Sequence, residues 1–322
     1  MPLVLQPDAI VLAKAPELAN CPKLYKFRFE ALAQACLKLN PAFSLQDVDI
    51  LCGLNNLRKI FDFASGKQGK AFRIDAELCG GTVMMTRWEH MQESMGQTSV
   101  CCGYGRGFEM ACTSQEGQPA KSSSHHRVVS YSLGSLNLVV QFEADACDCR
   151  CQRVDEKAQS AALDSMPVKQ QPSQCHLLDH LASPLNVVDI GKTHGSDCMI
   201  EIKSRDHKNK NSDEIMAQMW LSGRRRLYLG RHIRGRFDTN AVYEGDIDPD
   251  MIVWQRQHEG EIASFTGLLE QIRQKISAFG DGGGRFALVC ERDRTGSVLK
   301  LWRREGGQDL LRHETLARLQ LR

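Results

Sequence analysis

Two runs of β-forming residues, Arg127 to Leu133 and Leu136 to Asp145, are separated only by Gly134 and Ser135. So short a link, carrying a glycine, forces the runs back on one another as an antiparallel hairpin. The chain is therefore committed to a sheet, and the second strand delivers two acids, Glu143 and Asp145, at its end. What flanks the hairpin decides how that sheet is covered.

On the N-terminal side, Phe27, Ala31, Leu32, Ala35 and Leu39 recur at helical spacing within Leu24 to Leu39, and Pro41 prevents continuation. A second helix is expected after Ser44, interrupted at Gly53 and resumed through Leu54, Leu57, Ile60, Phe61 and Ala64, with Gly66 as its stop. Phe72 to Leu78 and Thr82 to Arg87, linked through Gly80 and Gly81, form another hairpin, and Arg106 to Thr113 a short helix. Cys147 to Ser183 is rich in Gln, Ser and Pro and lacks periodicity, which predicts a long surface insertion, partly disordered. Beyond it come a strand, Met199 to Lys203, a helix, Asp213 to Leu221, capped by Ser212, and a strand, Arg226 to His232. A helix from Glu261 to Phe279 and a last hairpin, Phe286 to Glu291 with Val298 to Arg303, follow. This order predicts a single α/β (α+β) domain over residues 1–322, a mixed β-sheet flanked by helices.

Composition narrows the class. The 322 residues carry 41 Lys+Arg against 39 Asp+Glu, a net charge of +2, with 42% hydrophobic residues. That balance excludes a wholly disordered, collagenous or strongly basic chain. The 13 cysteines are odd in number and irregularly spaced, which suits reduced thiols in the nucleus or cytoplasm better than a disulfide framework. Met1 to Leu18 lacks the pattern of a secretion signal, and no uncharged apolar run reaches the roughly 20 residues a membrane span needs.

Glu143 and Asp145 on one strand, with Glu201 and Lys203 on another, are the residues with chemical potential. Side chains two apart on a strand share a face, so neighbouring strands would gather three carboxylates and an ammonium at one place. Oxygen-rich clusters of this kind suit Mg²⁺ or Mn²⁺, and a lysine beside them can orient water or stabilise charge on a phosphate.

An acid strand followed by a Glu-x-Lys strand resembles the restriction-endonuclease-like core of PD-(D/E)xK nucleases. The chain as a whole resembles the DXO-like decapping exoribonuclease family. In order along the sequence it shows GYGRGFE (Gly103 to Glu109), Glu143-Ala144-Asp145, IEIKS (Ile200 to Ser204) and MAQMWL (Met216 to Leu221) leading into RLYLGRH. The resemblance implies that Glu109, Glu143, Asp145 and Glu201, with the Ile202 carbonyl, surround two divalent ions, Mg²⁺ or Mn²⁺. It further implies that Lys203 orients the attacking water, that Gln218 approaches the phosphate or that water, and that Arg87 contacts the substrate RNA. The expected activity is hydrolysis at RNA 5′ ends, removing an incomplete or non-standard cap or a 5′ pyrophosphate, with 5′-to-3′ degradation as a further expectation. A separate 5′-to-3′ exoribonuclease is a partner the family suggests. A DNA or structured-nucleic-acid nuclease of the same fold, or a catalytically idle RNA- or protein-binding relative, are the alternatives.

Lys203, Arg205, Lys208, Lys210, Arg224, Arg225, Arg226, Arg231, Arg234 and Arg236 crowd the region after the Glu-x-Lys strand, as a local phosphate-binding field or as a salt-bridged surface. Cys149, Cys151, Cys175, His176 and His180 match no standard zinc spacing. Consecutive His125 and His126 point to opposite sides of a strand, and Gly282 to Gly284 lack the Lys-Ser/Thr of a phosphate loop.

Overall fold

The hairpin turns where its Gly-Ser pair directs. In a computed structural model, which describes residues 3–4, 27–67, 69–88, 103–114, 125–148, 185, 194–209, 211–238, 242–279, 283–292 and 296–320, the chain runs β1 (Leu3–Val4), α1 (Glu30–Leu39), β2 (Ile50–Gly53), α2 (Leu54–Ala64), β3 (Phe72–Cys79) and β4 (Thr82–Arg87). There follow α3 (Gly105–Cys112), the hairpin β5 (His126–Leu133) and β6 (Leu136–Glu143), and the short β7 (Ala146–Cys147). A 3₁₀ turn, Ser196–Cys198, leads into β8 (Met199–Asp206), then α4 (Asp213–Ser222), β9 (Arg226–Ile233), β10 (Arg236–Phe237) and β11 (Tyr243–Asp246). The chain continues through α5 (Asp248–Gln257), α6 (Glu259–Phe279), the hairpin β12 (Gly283–Arg292) and β13 (Ser297–Arg304), and α7 (His313–Gln320).

Two mixed sheets result. Seven strands lie in the order β13-β12-β3-β4-β2-β6-β5, with β2 parallel to both β4 and β6. Six strands form the second, β1-β10-β9-β8-β7 with β11 also on β9, and β8 and β9 run parallel. The acid strand joins them: β6 ends at Glu143 in the first sheet, and after two intervening residues β7 pairs with β8 in the second.

Alternation along the central strands makes a core on each face of the larger sheet. Ile50, Cys52, Val83, Met85, Leu138 and Val140 pack towards α2, α4 and α6, whereas Leu51, Met84 and Val139 pack with α1 and α7. This explains the main departure from the sequence expectation. The stretch Ile50–Gly53 is a strand rather than the first part of a helix. Its apolar residues face a core on both sides, and a short continuous apolar run carries no period that separates strand from helix. Gly53 marks the strand-to-helix junction, and the Ser44 hydroxyl accepts from the Gln46 N–H (3.1 Å) in a turn instead of capping a helix.

Other corrections are smaller. Glu143 closes β6, so Asp145 lies beyond that strand. Helices α5 and α7 and strands β7, β10 and β11 were not foreseen. The expected insertion, 147–183, falls outside the described residues except for Cys147 and Asp148. Among the described residues no helix is long and apolar enough to cross a membrane.

Helix α3, which carries Glu109, is anchored on the second sheet by Phe108. Its ring stacks on Phe237 (centroids 4.6 Å, 11° between planes) and contacts Ile202. Gly230 of β9 allows this approach, since a Cβ there would overlap the Phe108 ring. Gly230→Ala should destabilise the fold by about 1–3 kcal/mol through overpacking. Gly267→Ala in α6, where nothing lies within 4 Å of the added carbon, should stabilise it by about 0.5–1 kcal/mol. Urea unfolding of both variants measures the contrast.

Candidate functional site

Strand β8 has its Glu201 side chain fully buried, with 0% exposure. A carboxylate removed from water demands partners, and Glu201 has them on both oxygens. Oε1 forms an ion pair with Lys203 and accepts a hydrogen bond from Gln218 Nε2 (2.7 Å). Oε2 lies against Arg224. Burial pushes the Glu201 carboxyl up from its usual range, the Arg224 and Lys203 cations oppose this, and the Asp145 charge reinforces it.

Asp145 is fixed by backbone: its Oδ2 accepts from the N–H of Ile202 (2.8 Å). The pairing follows from register, because Ala146 faces Ile200 in the antiparallel β7–β8 ladder. Glu109 projects from α3 and pairs with Arg106 (3.0 Å), one helical turn away. Its carboxyl is raised by burial, lowered by Arg106, and raised again by Asp145 and Glu143, which places the three carboxylates within electrostatic reach of one another.

The four acids expected from the sequence thus come to one neighbourhood, together with Lys203, Ile202 and Gln218. Gln218 touches Glu201 itself. Arg87 lies at the exposed C-terminal end of β4. Because β4 and β6 both run parallel to β2, their C-terminal ends share an edge, so Arg87 and Glu143 stand on the same side of the larger sheet. Clefts outside the carboxyl ends of parallel strands are the usual ligand sites of such sheets. Helix α2 begins there, tied to β4 by a hydrogen bond from buried Asn56 Nδ2 to the Met85 carbonyl (3.0 Å).

The donor set fits a hard cation in kind: carboxylate oxygens, mutually repelling, on three separate elements. It is not a closed cage, since among the described residues no three His, Cys, Asp or Glu side chains converge tightly enough to grip an ion as they stand. Arg106 and the Ile202 N–H occupy Glu109 and Asp145 meanwhile.

Sequence reasoning missed the individual role of Arg224, which it placed only within a basic run. Gly223 ends α4 in the left-handed conformation (φ 64°), and the Arg224 N–H donates to the Met219 carbonyl (3.1 Å). That helix ending fixes Arg224 at the entry to β9. Much of the rest of the basic run is salt-bridged surface: Arg205 pairs with Glu214 (2.8 Å), Arg226 with Asp148 (3.1 Å) and Arg225 with Asp248 (3.4 Å). Lys210 and the cysteines and histidines of 149–180 lie outside the described residues. The chain is tied at Asp148, whose N–H donates to the Cys198 carbonyl (2.9 Å), and at His194, whose carbonyl accepts from Arg127.

A family model described as "Domain of unknown function (DUF8563)" matches residues 17–313. No curated protein matches the chain. Among solved structures, S. pombe Rai1 is 16% identical with a TM-score of 0.55, covering 84% of this chain and 77% of that one. Candida albicans Rai1 in complex with pU5-Mn2+ gives 11% identity and a TM-score of 0.60, covering 90% and 80%. S. pombe Rai1 in complex with 3'-FADP gives 14% and 0.56, covering 94% and 86%. At these identities the likeness establishes the fold alone. The chain belongs to the family described as domain of unknown function DUF8563, and folds as the Rai1 proteins do.

Proposed function

We propose that this chain is a divalent-metal-dependent hydrolase acting on RNA 5′ ends, removing an incomplete or non-standard cap or a 5′ pyrophosphate, with 5′-to-3′ trimming of the body as a further capacity. The observation that carries this reading is the buried Glu201 carboxylate held between Lys203 and Gln218, with Asp145 fixed beside it by the Ile202 N–H. The fold likeness to Rai1 structures holding pU5 with Mn²⁺, and 3'-FADP, supports the substrate class.

Glu109, Glu143, Asp145 and Glu201, with the Ile202 carbonyl, would hold the divalent ions. A bound Mg²⁺ or Mn²⁺ supplies Lewis acidity and lowers the pKa of water in its coordination sphere. The chain's own residues do the rest. Lys203, only partly exposed, keeps its ammonium at the Glu201 oxygen and can donate to an attacking water or to a phosphate oxygen as charge develops there. Gln218 spends one amide hydrogen on Glu201 and has a second to offer. Arg87, on the same sheet edge as Glu143, is positioned to contact a backbone phosphate.

Asp145→Asn is the decisive variant, because it keeps an oxygen for the Ile202 N–H while removing the charge. It should abolish hydrolysis in a folded protein; retained turnover would remove the proposal. Lys203→Ala should lower kcat by roughly 10²–10³-fold. Both are assayed on RNAs bearing a dinucleotide-type cap, an incomplete cap, a triphosphate or a monophosphate, with single-stranded DNA in competition. RNA binding without hydrolysis of any 5′ end would instead identify an idle relative, and preferred cleavage of DNA a different nuclease.

Glu109 should cost the metal-free protein stability as pH rises through its titration. The folded state holds the Glu109 proton to higher pH than the unfolded chain does, so between the two values it binds more protons and stability falls with increasing pH. The penalty is absent below the ordinary glutamate value of 4.5 and complete above the raised one. Glu109→Gln should flatten that part of the pH profile and melt higher at neutral pH without metal; an unchanged profile would contradict the burial-driven shift. Mn²⁺ should raise the melting temperature of the wild type more than that of Glu109→Gln.

A further inference from the structure

Strand β8 carries a third charged side chain on the face that bears Glu201 and Lys203. By the two-residue period of a strand, Arg205 lies on that face too, about 7 Å beyond Lys203 along the backbone. Helix α4 covers this row. Gln218 donates to Glu201, and Glu214, one helical turn earlier on the same side, pairs with Arg205 (2.8 Å). A second guanidinium meets the same carboxylate: Arg58 (2.8 Å), from α2, the helix that starts at the sheet edge shared by Arg87 and Glu143.

We propose that Arg58 and Arg205 form a phosphate subsite beside Lys203, which receives the phosphodiester adjoining the scissile one in single-stranded RNA, and that Glu214 occupies this subsite until RNA displaces it.

Spacing is the first support. Residues two apart on a strand are separated by about the distance between successive phosphates of an extended nucleic-acid strand, so Lys203 and Arg205 match neighbouring phosphates. Exposure is the second. The Arg58 and Arg205 side chains are 25% and 23% exposed, the Glu214 side chain 56%. The cations are thus set into the wall while the anion lies towards solvent, free to leave without unmaking the fold. Exposed ion pairs of this kind contribute little to stability, so exchanging one anion for another is inexpensive.

Charge and donor capacity are the third. Two guanidiniums share one carboxylate, and the nearby acid on α2, Asp62, is paired with Lys67 (3.7 Å). The subsite therefore keeps a positive charge even with Glu214 in place. Glu214 accepts only from Nη2 of each arginine, and Arg205 Nε is buried with no acceptor among the described residues. A phosphate, with more acceptor oxygens, can engage both guanidinium forks. The Arg205 hydrogen bond holds the Glu214 carboxyl below its usual range, so at neutral pH it is an ionised competitor for the same donors.

The inference rests on the RNA reading of the site, but it is tested by binding without turnover. In the Asp145→Asn background, fluorescence anisotropy follows binding of a 5′-phosphorylated pentauridylate. Arg205→Gln and Arg58→Gln should each weaken binding by roughly 10-fold and lower the slope of log Kd against log salt by about 0.7. Glu214→Gln, which removes the competitor, should tighten binding by roughly threefold. A single uncharged methylphosphonate, walked along the strand, should abolish the arginine effects at one linkage alone. A salt bridge that only braces α2, α4 and β8 is broken by all three variants alike, so effects of one sign, or none, would overturn the proposal. Arginine effects that persist at every methylphosphonate position would do the same, as would absence of RNA binding. Opposite signs without hydrolysis of any 5′ end by the wild type would uphold the subsite and remove the hydrolase. Hydrolysis without opposite signs would remove the subsite and leave the hydrolase intact.

Discussion

The structure around the candidate site depends on one buried carboxylate. Glu201 sits in the second sheet with no access to water, a position that an unpaired charge could not hold. Its three polar partners come from different pieces of the chain: Lys203 from its own strand, Gln218 from α4, and Arg224 from the link between α4 and β9. The unit from β8 through α4 to β9 is thereby pinned to a single anion, and removing that anion would strand a buried guanidinium at a cost of roughly 3–5 kcal/mol.

The remaining acids are placed by topology. Strand β6 belongs to the larger sheet and β7 to the smaller, and only Ala144 and Asp145 separate them. Glu143 and Asp145 therefore occupy the crossing from one sheet to the other, while Glu109 is delivered by a helix that Phe108 fixes to the second sheet. Mutual repulsion among these carboxylates is the physical opening for a cation. Burial, reinforced by the same repulsion, raises the Glu109 carboxyl.

Much of this was legible in the residues themselves. The Gly134-Ser135 hairpin, Glu143 at its end and the Glu-x-Lys strand lie where the two-residue period of strands puts them, while Asp145 falls just past the strand end. Strand β2 was illegible because Ile50, Leu51 and Cys52 are buried on both faces, which erases the alternation that marks a strand. Arg224 was illegible for a different reason. Within GRRR, nothing local separates the arginine that turns inward from Arg225 and Arg226, which pair on the surface. Only the left-handed glycine before it, ending α4, sets its direction, and the anion that receives it lies more than 20 residues earlier in the chain.

Asp148 and His194 are each clasped, by Cys198 and by Arg127, close to Asp145 and to the strand that carries Glu201. The entropy of closing a connection grows only by about 0.6 kcal/mol for each doubling of its length. The register of Asp145 against Ile202 is thus set by residues close to each tie, at an entropic cost that depends only weakly on how much chain lies between them.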